Sequence, residues 1–236
     1  MRDFEVWYVD LAQTSVALEI HERRWPCLSE EEHTRAAGMS ARPDDQRHWR
    51  AAHIALRLLI WRWGGKELGS APYCFSSLGR PEIAGAPFSF SLSHSGSAAL
   101  IALAAHGPVG VDLELPRHVK IAGERRARIE AYGQSLSPAV ALPTHCDERF
   151  LQAWVRIEAA AKAEGAGVGR QLTAAGLLGG DYDRQPQMDA RIHDVRDLNI
   201  GLETFAAVAA PKLPAVLAIS QFPSAETELI KLVKTA

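Results

Sequence analysis

In the stretch PVGVDLELPR, residues 108–117, Asp112 and Glu114 stand two positions apart. Val109, Val111, Leu113 and Leu115 alternate with them, the pattern of a half-buried strand with one apolar face. Both carboxylates then point to the opposite face, where like charges side by side weaken a strand. Two explanations fit. Either the face is exposed and neutralised by nearby arginines, or a third carboxylate joins the pair around a hard cation. Mg²⁺ takes few carboxylates and completes its shell with water and phosphate oxygens. Glu158 is the candidate third ligand. It lies in CDERFLQAWVRIEAAAKAEG, where Trp154, Glu158 and Lys162 recur every four residues and share one helix face. Glu158 and Lys162 read either as a solvated surface pair or as charged groups lining a site.

Two further segments suit an anion. SLSHSG, residues 91–96, ends a strand in a turn holding Ser93 and His94. Neighbours on a strand point apart, so Ser93 is a poor nucleophile partner for His94. Hydroxyls, free N–H groups and an imidazole suit a phosphate, while the plain alternative is a polar hairpin end. LGRPEI, residues 78–83, holds Arg80 in a loop framed by Gly and Pro. There the guanidinium could fork onto a phosphate or simply remain in solvent.

These residues need elements to position them. FEVWYVDL reads as a strand, and Ser29 with Glu32 reads as a capping box. The clearest helix is RPDDQRHWRAAHIALRLLIWRWGG, with Trp49, Ala52, Leu56, Leu59, Ile60 and Trp63 at helical spacing and Gly64–Gly65 as its stop. Residues 65–87 read as loops, FSFSLSHSG as an alternating strand and SAALIALAA as a buried one. Beyond the acidic strand, helical sequence at 119–131 and a strong helix at about 146–164 precede strand-like TFAAVAA and AVLAIS. Each half has one dominant arginine-bearing helix followed by strands. The expected fold is therefore α/β (α+β), with two similar halves, residues 1–107 and 108–236.

The chain has 236 residues, 47% hydrophobic and 23% charged, the profile of a globular protein with a substantial core. Its net charge of −2 gives no global reason to expect nucleic-acid binding. Cys27, Cys74 and Cys146 are odd in number and lack metal-ligand spacing, so free thiols in a reducing compartment are expected. MRDFEVWYVDLA lacks a signal-peptide core, and AALIALAA is far too short to span a membrane. A soluble cytoplasmic protein is the expectation.

Taken in order, GRP, FSFSLSHSG, PVGVDLE and FLQAWVRIEAAAKAEGAGVG resemble the motifs of the Sfp-type 4′-phosphopantetheinyl transferases. The matched region spans about residues 42–170. The resemblance implies two α/β halves in pseudo-twofold relation with the active site between them. The first half would face the coenzyme A nucleotide, and the second would carry the metal ligands and catalytic helix. The implied reaction moves the phosphopantetheine arm of coenzyme A to a serine of an acyl or peptidyl carrier protein. Mg²⁺, or Mn²⁺ in its place, would be needed, and adenosine 3′,5′-bisphosphate would be released. Asp112, Glu114 and Glu158 would hold the metal. Arg47, Arg80, Ser93, His94 and Lys162 would meet coenzyme A, and Glu158, directly or through a metal-bound water, would take the serine proton. A monomer with no nucleic-acid or membrane partner is implied, serving nonribosomal peptide or polyketide synthesis or a related pathway.

Three departures from the family pattern stand out. Ile157 replaces the lysine before the catalytic glutamate, Arg80 replaces the lysine of G-K-P, and residues 123–147 match poorly. They motivate an alternative, a coenzyme A-binding relative that has lost transfer and acts by binding a partner. An unrelated metal-dependent phosphohydrolase is a third reading of the same acids.

Overall fold

The computed structural model describes residues 3–165, 167–177, 193–201 and 204–234. Ala166, inside the quoted helix motif, lies outside the described residues. The first part of the chain runs β1 (Phe4–Asp10), α1 (Leu11–Arg24), α2 (Glu30–Ala37), α3 (Pro43–Gly64), α4 (Lys66–Ser70), β2 (Cys74–Phe75), β3 (Pro81–Glu82), β4 (Ser89–Ser95) and β5 (Ala98–Ala104). The second runs β6 (Gly110–Glu114), α5 (Gly123–Leu136), α6 (Cys146–Glu164), α7 (Val168–Ala174), β7 (Asp194–Asp197), β8 (Phe205–Ala210), β9 (Ile219–Gln221) and α8 (Glu226–Lys234). Helices and sheets mix throughout, as the α/β reading expects.

Two sheets carry the architecture. The larger has the order β4-β5-β1-β9, with β1 antiparallel to β5 and parallel to β9. The smaller, β6-β8-β7, is antiparallel throughout. The period of two along each strand sorts their side chains. Trp7, Val9, Ile101 and Leu103 face α1, α3 and α8. Val6, Tyr8, Leu100 and Ala102 face the other way and meet Val109, Val111, Leu113 and Val208 in one shared core. The far face of the smaller sheet, with Ala207 and Ala209, packs on Val155, Ala159 and Ala163 of α6. The result is helices, sheet, sheet, helices. Division at 107/108 leaves β9 with the second half by sequence, yet β9 pairs with β1.

Local signals explain several boundaries. Ser29 accepts from the Glu32 backbone N–H while the Glu32 side chain returns to Ser29, so the capping box closes. Asp10 caps α1 by accepting from the Gln13 N–H. Gly165 ends α6 at φ 77°, a left-handed position where a Cβ would be strained. AVLAIS yields only the three-residue β9, and Val216 in its first part is strongly exposed. The loop expected over 65–87 contains the small β2–β3 hairpin that carries Arg80.

Candidate active site

The acidic strand is placed by its apolar row. Val109, Val111 and Leu113 are anchored between the two sheets, so Gly110, Asp112 and Glu114 face α6. Gly110 lets that helix come close. A Cβ there would lie 2.0 Å from the Ala159 carbonyl oxygen and 2.5 Å from the Ala163 nitrogen. The alanines of α6 make the matching flat surface, and the contact brings Lys162 to Asp112.

The serine face of β4 also meets this strand. The Ser91 hydroxyl accepts from the Val111 N–H at 3.1 Å, Ser93 donates to Asp112 Oδ1 at 2.6 Å, and Ser95 donates to Glu114 Oε2 at 3.2 Å. Ser89 adds a bond to the Gly107 carbonyl at 2.6 Å. Alternate serines thus bond the edge of one sheet to the edge of the other. Ser93 and His94 point apart, as strand geometry requires; Ser93 positions Asp112, and His94 faces a cavity.

That cavity has a volume of about 670 Å³ and is lined from both halves, with His94, Arg80, Glu158 and Lys162 in its wall. Its size lies in the range of small-molecule sites. Lys162 Nζ reaches Asp112 Oδ1 at 2.6 Å, so Asp112, only 6% exposed, has a partner for its charge. Burial pushes the Asp112 carboxyl above the usual carboxylate range, while Lys162 and Ser93 pull it back. Glu158, one turn before Lys162 on the same face, carries no hydrogen bond or ion pair among the described residues. Its carboxyl is raised by burial, with Asp112 and Glu114 adding to the effect and Lys162 opposing it. The reading of Glu158 and Lys162 as a mutual surface pair gives way: the lysine crosses to the strand.

His94 keeps part of its ring open to solvent, yet its surroundings push it down to about 4. Burial among the cavity walls is the main cause, and His53, Lys162, His48 and Arg35 add positive charge nearby. Arg80 forks onto Glu82 at 2.7 and 3.2 Å and donates to the Ala163 carbonyl at 3.1 Å. It therefore seats the hairpin on the C-terminal end of α6, where a cation suits the helix dipole. Arg47 stands exposed, 3.0 Å from Asp44, and is not among the cavity's lining residues. The lining cation on that side is Arg35, with Trp49 and His53 stacked at 3.8 Å beside it. Sequence reading missed Arg35 and His53, because only the fold of α2 against α3 brings them to the cavity. Ile157 is fully buried among Ile129, Phe150 and Leu172, away from the cavity.

The three carboxylates are hard oxygen donors and influence one another's protonation, which suits Mg²⁺ in type. Their present bonds are internal. Asp112 holds Lys162, and Glu114 holds Ser95 and Arg117, the latter at 3.0 Å. Among the described residues no three His, Cys, Asp or Glu side chains are grouped closely enough to hold a metal ion. The sequence expectation of Asp112, Glu114 and Glu158 as one ligand set is therefore not preassembled here: an ammonium takes the place of the cation.

No family model matches the chain. It is similar to a Synechocystis sp. protein named "Putative 4′-phosphopantetheinyl transferase", with 31% identity over 153 residues. The match covers 60% of this chain and 58% of the relative, so the chain spans somewhat over half the length of that curated relative. The name agrees with the family to which the order of motifs points, and the resemblance is borne out. Among the described residues no helix is long and apolar enough to cross a membrane.

Proposed function

We propose that this protein transfers the 4′-phosphopantetheine group of coenzyme A to a serine of an acyl or peptidyl carrier protein, releasing adenosine 3′,5′-bisphosphate. The observation that carries the reading is the meeting of Glu158, Lys162, His94 and Arg80 around one cavity bounded by α3, β4, the β2–β3 hairpin and α6, with Asp112 held to Lys162 beside it. The motif resemblance and the curated relative support it. A dominant helix laid on a sheet in each part of the chain suits the pseudo-twofold arrangement of that family.

The chemistry suits the residues. The carrier serine oxygen bonds to the β-phosphorus of the pyrophosphate, the bond from that phosphorus to the bridging oxygen breaks, and the adenosine bisphosphate leaves. Such transfers are promoted by positioning and charge stabilisation. Glu158 takes the serine proton, and its raised proton affinity in a buried acidic setting suits a general base. Lys162 meets the pyrophosphate, and His94 gains a proton when phosphate charge arrives beside it. Ser93 fixes Asp112. Arg80 and Arg35 line the cavity where further phosphate groups would lie. Asp112, Glu114 and Glu158 would hold Mg²⁺, which when bound offsets charge on the pyrophosphate.

Two of the three departures carry little against transfer. Ile157 is a core residue of the α5–α6 contact, and Arg80 retains a cation at the cavity wall. The test is formation of adenosine 3′,5′-bisphosphate, read by chromatography, when the protein meets coenzyme A, Mg²⁺ and an apo carrier. Nucleotide should appear only with carrier present. Release without carrier would point to the phosphohydrolase reading instead. Coenzyme A binding with no release on several carriers would favour the binding-only relative.

A further inference from the structure

The α2–α3 end of the cavity holds charged groups that the strand acids and α6 do not use. Glu158, on α6, is the one carboxylate among the described lining residues. Arg35 of α2 is exposed, stands over the Trp49 ring at 5.6 Å and has no carboxylate partner among the described residues. His53 of α3 lines the same end, its ring stacked on Trp49 at 3.8 Å and its Nδ1 3.1 Å from Glu32 Oε1. Against its burial, bonds from His53, Arg57 and Ser29 hold Glu32 down to about 2, so it is ionised at neutral pH. A carboxylate only accepts hydrogen bonds, so His53 carries its hydrogen on Nδ1. In the neutral ring Nε2 is then a bare lone pair. That nitrogen has no partner among the described residues, and solvent reaches it.

Burial keeps the His53 ring below the usual histidine range; Glu32 opposes the effect, and Arg35 and Arg57 add to it. The other titratable or charged groups around this part of the cavity are His48 on α3, Tyr73 ahead of β2, Arg80 on the hairpin, His94 on β4, and Glu158 and Lys162 on α6. Arg57 already has Glu32 as its partner. A phosphate oxygen is repelled by a lone pair and held by an N–H. A phosphate group carries a charge of about −1.5 to −2 near neutral pH, which Arg35 and one imidazolium would match.

We propose that His53, backed by Glu32, is a proton-coupled phosphate contact: neutral with a bare Nε2 in the free protein, it takes a proton from solvent at Nε2 as a phosphate group seats beside it and Arg35. Glu32 fixes the tautomer before the ligand arrives and stabilises the imidazolium afterwards, as a carboxylate behind a histidine does. Trp49 holds the plane of the ring. This proton is additional to the one taken up at His94. That the phosphate belongs to coenzyme A rests on the transferase reading. The tautomer and the proton uptake rest on the Glu32–His53 contact and the unpartnered Nε2.

The test is long-range ¹H–¹⁵N correlation spectroscopy of the full chain carrying ¹⁵N-histidine. The pH is titrated without ligand and with inorganic phosphate, chloride keeping the ionic strength equal. His53→Gln identifies the His53 signals; circular dichroism checks its folding, and His53→Asn serves if it does not fold. Without phosphate, His53 should show the Nδ1–H tautomer at neutral pH and a midpoint below about 6.5. With phosphate the midpoint should rise by about one unit, equivalent to about 10-fold tighter phosphate binding by the charged ring. An Nε2–H tautomer in the free protein, or a midpoint that phosphate leaves in place, would overturn the proposal. Calorimetry of coenzyme A in buffers of different ionisation heat should show wild type taking up more protons per ligand than His53→Gln above neutral pH; equal uptake would also overturn it. Coenzyme A that does not bind, with the phosphate shift of His53 present, would instead sink the transferase reading and leave the contact standing.

Discussion

The two dominant helices share a device and differ in what they do with it. In α3, Arg57 is fully buried, bonds Glu32 through Nε and Nη2, and donates to the Ala71 carbonyl. In α6, Arg156 is fully buried, forks onto Asp197 at 2.6 and 2.7 Å, and donates to the Val140 carbonyl at 3.0 Å. Each arginine ties its helix to a carboxylate and a loop. Aligned on these arginines, Glu158 falls opposite Leu59, and Lys162 falls opposite Trp63. The first half uses those positions for packing. The layer that α3 forms on its sheet is built from Ile54, Leu58 and Leu59, whereas α6 lies on its sheet through alanines and against Gly110. Close approach in the second helix follows from glycine: Lys162 meets Asp112 because nothing larger than glycine separates the backbones. Helix α3 gives these positions to packing, and α6 presents charged side chains to the cavity.

If that division holds, the largest effect on activity comes from the helix position that has no charged counterpart. Glu158→Gln keeps the size of the side chain and removes the base, so kcat/KM for carrier modification should fall about 10²- to 10⁴-fold while the melting temperature stays near wild type. Leu59→Ala, at the equivalent place in the first half, should instead lower stability by about 2–5 kcal/mol and leave the specific activity of folded protein close to normal.

Next come the shared arginines. Arg57→Met strands the nearly inaccessible Glu32 and should cost about 3–5 kcal/mol in a denaturant titration. Arg156→Met should cost less, because Asp197 keeps 23% of its side chain in solvent. Equal losses would break this ranking of the two pairs. Glycine offers a finer comparison. Gly110→Ala forces a Cβ onto the α6 backbone and should cost about 1–3 kcal/mol together with carrier modification. Gly69→Ala meets Trp61 Cβ at 2.7 Å in the first half and should affect melting alone.

The smallest effect is in acid. His94 is held near 4, below its unfolded value of about 6.5. The unfolded chain therefore binds the extra proton first, and the contribution of His94 to stability disappears as pH falls from about 6.5 to about 4. Glu32 is held down to about 2, chiefly by its His53, Arg57 and Ser29 bonds overcoming burial. Its contribution is present above the unfolded carboxyl range and lost as pH falls towards 2. Melting temperature against pH should show His94→Asn removing part of the upper limb and leaving the lower one. Coenzyme A affinity should fall as pH rises, since phosphate binding beside His94 takes up a proton.

The sequence made legible what rests on local pattern. The ends of α6, the capping box at Ser29 and the inward row of Val109, Val111 and Leu113 follow from spacing alone. The face shared by Glu158 and Lys162 was readable, but the partner of Lys162 was not, because the glycine contact between β6 and α6 is non-local. Helix α1 escaped notice because its buried side includes Thr14, Ser15, His21 and Glu22, which interrupt any apolar stripe. The alternating serines of β4 announced a polar face, but not that another strand lay against it. Arg47 lies in the arginine-rich stretch that the family resemblance assigns to the nucleotide; the structure pairs it with Asp44 and lines the cavity with Arg35 of α2, a placement that depends on non-local packing.

The central claim is that Asp112, Glu158 and Lys162 form a phosphopantetheine-transfer site. Its most direct test is the intact mass of a panel of apo carrier proteins after incubation with coenzyme A, Mg²⁺ and either wild type or Glu158→Gln. Wild type should add the mass of one phosphopantetheine to at least one carrier, and Glu158→Gln should leave that carrier unmodified over the same interval. A panel left wholly unmodified by wild type, or modified equally by both proteins, would contradict the claim.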